Sequence, residues 1–145
     1  MKRRKFPYRK ILDVKKSLED NKKIELKARV SELEVEKEKL KGLNSIKEET
    51  LEKDTHDNSL IYLRLKSEYI QQLNRMIDEQ IKTVSDFAEK VDKVRDELSK
   101  VHKEKRIMEQ LEEKFKLDTL NLQKKEETKI NSEIALRKIT AAKGK

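Results

Sequence analysis

A seven-residue apolar repeat in the second half of the chain constrains its fold more than any other feature. Two rows of mostly apolar residues alternate in steps of three and four, the pattern of the a and d positions of a coiled coil. A disordered chain has no physical reason to keep this phase, so the repeat predicts a long helix with a narrow buried seam. The predicted seam comprises Leu63, Ile70, Ile77, Val84, Phe87, Val91, Val94, Leu98 and Val101, with Leu73 and the polar Gln80 in the second row.

The composition fits a narrow seam and excludes a broad core. Charged residues make up 46% of the 145-residue chain and aromatic residues only 4%, whereas an ordinary domain is roughly 25% charged. We therefore predict a single all-α domain over residues 1–145, an antiparallel two-helix coiled-coil hairpin with a longer second helix.

The predicted helices are separated by the polar stretch EKDTHDNS at residues 52–59, which is rich in turn and capping residues. Asp57, Asn58 or Ser59 can cap the second helix. A short turn makes two amphipathic helices antiparallel neighbours. The predicted boundaries are a helix at about 7–52, a polar turn at about 53–59, a helix at about 60–139 and a basic tail at about 140–145.

The first helix has a weaker pattern. Ile11, Val14 and Leu18 share one stripe, and after a slip a second stripe follows. That second stripe comprises Leu26, Val30, Leu33 and Leu40.

The ends of the hairpin suggest a partner. Pro7 sits well in a first helical turn, and it lies between two aromatic residues, Phe6 and Tyr8. A turn centred near residue 57 would place Phe6 opposite Met108. Residues beyond about 110 would then form an unpaired helix of about 50 Å, and its exposed apolar side chains favour a binding partner.

No catalytic, metal or cofactor site can be recognised. The chain has no cysteine, and its histidines, His56 and His102, are far apart in sequence. Its only glycines, Gly42 and Gly144, form no phosphate-binding loop. We therefore predict a protein that is not an enzyme and needs no cofactor, metal or small-molecule ligand.

Charge and hydropathy indicate where the chain acts. The net charge is +8, but acids and bases are mixed along the sequence, so nucleic-acid binding is not favoured. The opening MKRRK is followed by charges rather than an apolar signal region. No apolar run approaches the roughly 18 residues of a membrane span. These features predict a cytoplasmic protein without a transmembrane segment.

Three stretches resemble the flagellar export protein FliJ family, and together with the length and layout the likeness covers essentially the whole chain. The opening reads FPYRKILDVKKSLEDNKKIEL, and the entry to the second helix reads EYIQQLNRMIDEQI. The C-terminal part reads EEKFKLDTLNLQKKEETKINSEIAL. The resemblance implies a coiled-coil shaft that binds the ring of the type III export ATPase and promotes its assembly. It also implies contacts with export chaperones and the export-gate membrane protein, hence a place at the inner face of the cell membrane.

The resemblance also implies partner-binding residues. The family's gate contact is an aromatic–x–x–x–Leu pair, matched here by Tyr69 and Leu73, with an opposing patch near Leu43 and Ile46. This chain departs from the family pattern because Gly42 and Ile46 stand where aromatic residues are expected. Residues expected at the shaft end that enters the ATPase ring are Phe6, Tyr8, Ile107, Leu111 and Phe115.

Other coiled-coil functions remain open on the sequence. An injectisome stalk or a prefoldin-like chaperone subunit would have the same fold and a different partner. A self-associating structural coiled coil would pair its unpaired helix with another copy, and dilution would weaken that association.

Overall fold

The computed structural model describes residues 4–53 and 59–143, and these residues form two α-helices. Helix α1 spans Arg9–Glu52 and helix α2 spans Leu60–Lys143, with no strand among the described residues. The predicted all-α hairpin with a longer second helix is thus confirmed. Helix α2 continues past the predicted end near residue 139, because Ala141, Ala142 and Lys143 are strong helix formers. Neither helix is apolar enough over a sufficient length to cross a membrane.

Helix α1 begins two residues after its proline, rather than at it. Pro7 and Tyr8 form a turn directly before the helix. The Leu12 amide donates to the Tyr8 carbonyl at 3.0 Å, which is the first regular helical hydrogen bond. The Arg9 amide donates to the Phe6 carbonyl at 3.4 Å. Pro7 lies outside this ladder, so its missing N–H leaves no gap.

The adjoining ends of α1 and α2 are capped by side chains. The Ser59 hydroxyl accepts a hydrogen bond from the Tyr62 amide at 3.2 Å, which makes Ser59 the N-cap of α2. The Lys66 ammonium group donates to the Lys53 carbonyl at 3.3 Å, beyond the last turn of α1. The alternative caps, Asp57 and Asn58, lie outside the described residues.

The chain divides into two compact units. The first contains Met1–Leu18 and Val101–Lys145, and the second contains Glu19–Lys100. Both units contain part of α1 packed against part of α2.

In the second unit the two helices run antiparallel along a seam with heptad spacing. Lys22 bonds to Glu97 and Glu36 bonds to Gln80, so rising numbers in α1 meet falling numbers in α2. The α2 side of the seam is mainly apolar, whereas the α1 side includes many polar residues. The buried or half-buried α1 positions of this unit are Glu19, Lys22, Glu25, Leu26, Arg29, Val30, Leu33, Glu36, Leu40, Leu43, Lys47 and Thr50.

The predicted seam residues of α2 differ in how deeply they are buried. Ile77, Val91 and Val94 are buried. Leu63 differs, because half of its side chain is exposed. Lys66 lies beside Lys53, just beyond the end of α1. The α2 residues before Lys66 therefore extend past α1, which does not cover Leu63. The half-buried predicted residues are Ile70, Val84, Phe87, Leu98 and Val101.

In the first unit the helices are also antiparallel, and their register differs from the prediction. Phe6 contacts Phe115, with ring centroids 5.7 Å apart, rather than lying opposite Met108. Arg9 pairs with Glu112 at 3.1 Å. The centre of the turn was a poor guide because register depends on which side chains pair in the seam.

This register shortens the unpaired part of α2. Thr119 is the last half-buried residue of α2, and every described residue from 120 to 143 is exposed. At about 1.5 Å per residue, this segment is roughly 36 Å long. The repeat itself does not stop at Val101, because Lys105 and Glu112 remain half-buried at the a positions.

The predicted apolar stripe at the start of α1 faces solvent. Leu12 is only 1% exposed, whereas Ile11, Val14 and Leu18 are 46%, 56% and 39% exposed. The stripe that these three residues share therefore lies outside the seam. The a and d positions of α1 run without a slip from Leu12 and Lys15 onward, but polar residues occupy many of them.

Candidate interaction surfaces

An aromatic cluster closes the first unit where the chain enters α1. The Phe6 and Tyr8 rings meet edge to face, with centroids 5.8 Å apart and planes at 77°. The Phe6 ring also contacts Phe115 of α2, with planes at 58°. Phe6 and Phe115 are half-buried, whereas Tyr8 is exposed. The cluster thus fastens the N-terminal segment to α2 and leaves one aromatic ring available to a partner.

Ion pairs lie beside this cluster and hold the same two helices. One Arg9 nitrogen donates to both oxygens of Glu112, at 3.1 and 3.2 Å. Lys116 contacts the same carboxylate at 3.1 Å. The hydrogen bond from Lys116, followed by the positive charges of Lys116, Arg9 and Lys16, lowers the pKa of Glu112.

A shallow cleft adjoins the aromatic cluster. It has a volume of about 260 Å³, and the Phe115 ring forms part of its wall. The cleft combines apolar and basic side chains, which suits an apolar group next to an acidic one. Its lining residues are Arg4, Phe115, Lys116, Thr119, Leu120 and Gln123.

In the second unit, Lys22 shows which edges of the two helices face the same side. Its ammonium group donates to Glu97 of α2 at 2.6 Å and to Glu25 of α1 at 3.0 Å. Both glutamates occupy g positions, directly before the a residues Leu26 and Leu98. Residues at g in either helix therefore border the same side of the seam.

The same ion pairs shift two pKa values. The hydrogen bond to Glu97, followed by that to Glu25, raises the pKa of Lys22. The hydrogen bond from Lys22 lowers the pKa of Glu97.

Two of the four predicted gate-contact residues are exposed on the g side of the second unit. Tyr69 precedes Ile70 and Ile46 precedes Lys47, so both occupy g positions, and both are exposed. Met76, which precedes Ile77, is a third exposed residue at g. We call Ile46, Tyr69 and Met76 the tyrosine patch.

The other two predicted gate-contact residues belong to the seam. Leu73 is only 3% exposed and Leu43 is half-buried. Both therefore pack between the helices and lie behind the tyrosine patch. Met76 was missed from the sequence, although its g position one heptad after Tyr69 was a usable signal.

A polar layer interrupts the seam of the second unit. The Gln80 side-chain amide donates to the Glu36 backbone carbonyl at 2.9 Å and to the Glu36 carboxylate at 2.7 Å. The Gln80 hydrogen bond, followed by that of Lys39, lowers the pKa of Glu36. Among the described residues, no buried side-chain nitrogen or oxygen lacks a hydrogen-bond partner.

The chain as a whole matches a known family. A family model described as Flagellar FliJ protein matches residues 4–144. The chain belongs to the flagellar FliJ protein family. Membership indicates a component of the flagellar protein export apparatus, and the family is a non-enzymatic one. No curated protein and no solved structure matches the chain.

The described residues expose several apolar and aromatic surfaces. In the described ranges, no group of three or more His, Cys, Asp or Glu residues is placed to hold a metal ion. The predicted ring-contact residues all belong to the first unit. The aromatic cluster brings Phe6, Tyr8 and Phe115 together, while Ile107 and Leu111 are exposed on α2.

Proposed function

We propose that this chain is the coiled-coil shaft that binds the ring of the flagellar export ATPase and promotes its assembly. The observation that carries this proposal is the contact of Phe6 with Phe115, which builds an ordered aromatic end from two distant parts of the chain. Such an end, with Tyr8 exposed, is preorganised for binding because its N-terminal segment is already held in place.

The ring contacts in this proposal are of two kinds. Phe6, Tyr8 and Phe115 would enter the ring as an aromatic end, and Ile107 and Leu111 would touch its wall. Exposed apolar side chains of this kind are typical of surfaces that bind another protein. Aromatic residues also tend to dominate the energy of such interfaces.

The proposed mechanism requires no chemistry from the shaft itself. A ligand favours an assembled ring only if it binds that state more tightly than the separate subunits. The coupling is reciprocal, so a nucleotide that favours the ring should also tighten shaft binding. A single shaft presents different side chains around its axis, which allows it to distinguish successive ring subunits.

The tyrosine patch is the proposed contact for the export-gate membrane protein. Tyr69 and Ile46 would bind its cytoplasmic linker directly. Leu73 and Leu43 would act from behind by holding the two helices in register. This contact would bring the chain to the inner face of the cell membrane.

The exposed end of α2, residues 120–143, is the proposed site for export chaperones. It is helical over its whole described length and contacts nothing that buries it. Its apolar residues recur among lysines, so it can pair with an amphipathic surface. These residues are Leu120, Leu122, Ile130, Ile134, Leu136 and Ile139, all exposed.

The ATPase rate of the cognate export ATPase, measured together with ring assembly by light scattering, tests the shaft proposal. We expect both to rise when this protein is added. The double variant Phe6→Ala/Tyr8→Ala should lose the effect, whereas Ile24→Ala should keep it because Ile24 is an exposed residue of the second unit. An unchanged rate and ring fraction with a competent ATPase would refute the proposal.

Self-association is the alternative that the exposed end of α2 also permits. Sedimentation of the protein alone over a wide concentration range separates the two functions. A shaft stays monomeric until its ring is supplied, whereas a structural coiled coil forms oligomers that dissociate on dilution.

A further inference from the structure

The apolar stripe of α1 in the first unit is exposed rather than packed in the seam. Ile11, Val14 and Leu18 are spaced three and four residues apart, so they form one continuous face of the helix. All three are exposed, while Leu12 beside them is buried in the seam. Packing between the two helices does not explain why this exposed face of α1 is apolar while the neighbouring seam contains polar residues.

Helix α2 carries a matching face in the same unit. Ile107 and Leu111 are exposed and lie three and seven residues after Glu104. They therefore share one face of α2 with that carboxylate.

An ion pair shows that the two faces adjoin. Lys15 of α1 donates to Glu104 of α2 at 2.6 Å. Lys15 follows Ile11 by four residues and precedes Leu18 by three, so it lies at the edge of the α1 face. Glu104 lies on the α2 face itself. The ion pair therefore spans the junction of the two faces, and their apolar residues border one groove between antiparallel helices.

We call this surface the lysine-rimmed groove, because its edges are basic. Lys10 borders it on α1, and Lys103 and Lys114 border it on α2. All three are exposed, and within the described ranges none has a carboxylate at ion-pair distance. Asp118 is an exposed acid at the far end of the groove. The groove itself is formed by Ile11, Val14, Leu18, Ile107 and Leu111.

We propose that the lysine-rimmed groove binds an amphipathic α-helix of a partner protein whose apolar stripe is flanked by acidic residues. The apolar residues on both walls repeat with helical spacing, so a third helix can pack its own stripe between them. Acidic flanks would meet Lys10, Lys103 and Lys114, which are exposed. A second copy of this chain is disfavoured, because its own lysine rim would meet the same charges.

This inference goes beyond the shaft proposal and does not depend on it. It assigns a side surface formed largely by α1 residues that the ring contact does not use. Ile107 and Leu111 belong both to the groove and to the proposed ring contact. A helix bound in the groove should therefore compete with any ring contact that these two residues make.

The test uses the full chain and two synthetic fluorescent amphipathic peptides. Both carry the same leucine stripe, one with glutamates and the other with lysines along its flanks. We expect fluorescence anisotropy to show binding of the glutamate-flanked peptide only. Equal binding of both peptides, or of neither, would overturn the proposal.

Matched variants locate the binding. Val14→Lys should weaken binding of the glutamate-flanked peptide by about tenfold or more, as for a central interface residue. Ile24→Lys adds the same charge at an exposed α1 site outside the groove and should leave binding unchanged. If both variants bind equally well, the groove is not the site. Circular dichroism of both variants checks that each is folded.

Two further results keep this test separate from the shaft proposal. If Val14→Lys loses the peptide but still stimulates the ATPase, the groove and the ring contact are distinct sites. If the unmodified protein stimulates the ATPase yet binds no peptide, only the groove proposal fails. A concentration-dependent dimer that Val14→Lys abolishes would instead assign the groove to a second copy.

Discussion

Gln80 of α2 and Glu36 of α1 are joined by two hydrogen bonds in the middle of an otherwise largely apolar stretch of the α2 seam. The Gln80 amide reaches both the backbone carbonyl and the carboxylate of Glu36, at 2.9 and 2.7 Å. A polar pair inside a coiled-coil seam lowers stability relative to leucine but penalises every register that separates its members. The Gln80–Glu36 pair is therefore the best candidate for the device that fixes how the helices of the second unit align.

Replacing this pair by leucines should separate stability from register. We expect Gln80→Leu/Glu36→Leu to keep or raise the urea midpoint, because an apolar layer replaces a polar one. Disulfide trapping between cysteine pairs at the native register and one heptad away should then show a mixture of alignments. A double variant that forms only the native disulfide would contradict a register role. Gln80→Ala removes the seam donor to Glu36 and leaves that carboxylate with Lys39, so it should lower the urea midpoint.

The sequence predicted α2 far better than α1, and the reason is physical. In α2 most a and d positions are apolar, such as Ile77 and Val91, so burial and hydropathy coincide. In α1 the seam includes Lys15 and Glu19, whose polar side chains hide it, while the apolar Val14 lies outside it. Long charged side chains can bury their stems and keep their ends in ion pairs, which hydropathy alone does not reveal.

The candidate sites also differ in how much of each could be predicted from the sequence. An aromatic end near Phe6 could be predicted from a proline and two rings, but its contact with Phe115 depended on a register that the turn did not supply. Tyr69 was assigned through family resemblance, and its exposure depends on a g position beside a seam already visible in the sequence. The lysine-rimmed groove needed the structure, because the Lys15–Glu104 ion pair that joins its two walls depends on the register of the helices.

The reassigned seam of α1 can be checked by a pair of truncations. Leu12→Ala should lower the free energy of unfolding by about 2 kcal/mol or more, since it empties a fully buried site. Val14→Ala, two residues away and more than half exposed, should change it by less than about 0.5 kcal/mol. Urea denaturation followed by circular dichroism measures both. Equal losses would place Val14 in the seam.

The pKa shifts predict a plateau of stability between acid and alkaline limits. The pKa values of Glu36, Glu97 and Glu112 are lowered by folding, so their stabilisation is present above the ordinary carboxyl value of 4.5. It is lost as the pH falls from that value through their folded pKa values. The pKa of Lys22 is raised, so its stabilisation is complete below 10.5 and lost as the pH rises through its folded value.

Urea midpoints measured from acid to alkaline pH test this plateau. Glu97→Gln should reduce both the acid and the alkaline losses, because it removes one lowered carboxyl and the main partner of Lys22. Glu38→Gln changes an exposed glutamate outside the seam and serves as the control. Identical pH profiles for Glu97→Gln and the unmodified protein would show that the Lys22–Glu97 pair contributes nothing.

The aromatic cluster should behave as a coupled pair. In a double-mutant cycle, Phe6→Ala and Phe115→Ala should show a coupling free energy of about 0.5–1.5 kcal/mol, as is usual for aromatic pairs in contact. Urea denaturation of the two single variants, the double variant and the unmodified protein gives this value. A second cycle with Tyr8→Ala and Phe115→Ala provides a comparison, because the Tyr8 ring contacts Phe6. Its coupling free energy should be smaller. Additive losses for Phe6 and Phe115 would mean that their rings do not contact each other in solution.

Tyr69 and Leu73 should differ in what their loss does, although both were assigned to the same gate contact. Leu73→Ala should lower the free energy of unfolding by about 2–4 kcal/mol, because Leu73 is buried between the helices. Tyr69→Ala should leave stability nearly unchanged, since Tyr69 is 45% exposed, and should abolish binding to the cytoplasmic linker of the export-gate protein. Calorimetry with that linker, on variants whose urea midpoints are known, measures both effects.

Met76→Ala tests the full extent of the tyrosine patch, and Ile81→Ala, exposed at an e position outside the patch, is the matched control. The two variants should be compared under conditions where the same fraction of each is folded. If the linker then binds Tyr69→Ala but not Leu73→Ala, the contact involves the seam residue Leu73 and requires the helices to separate.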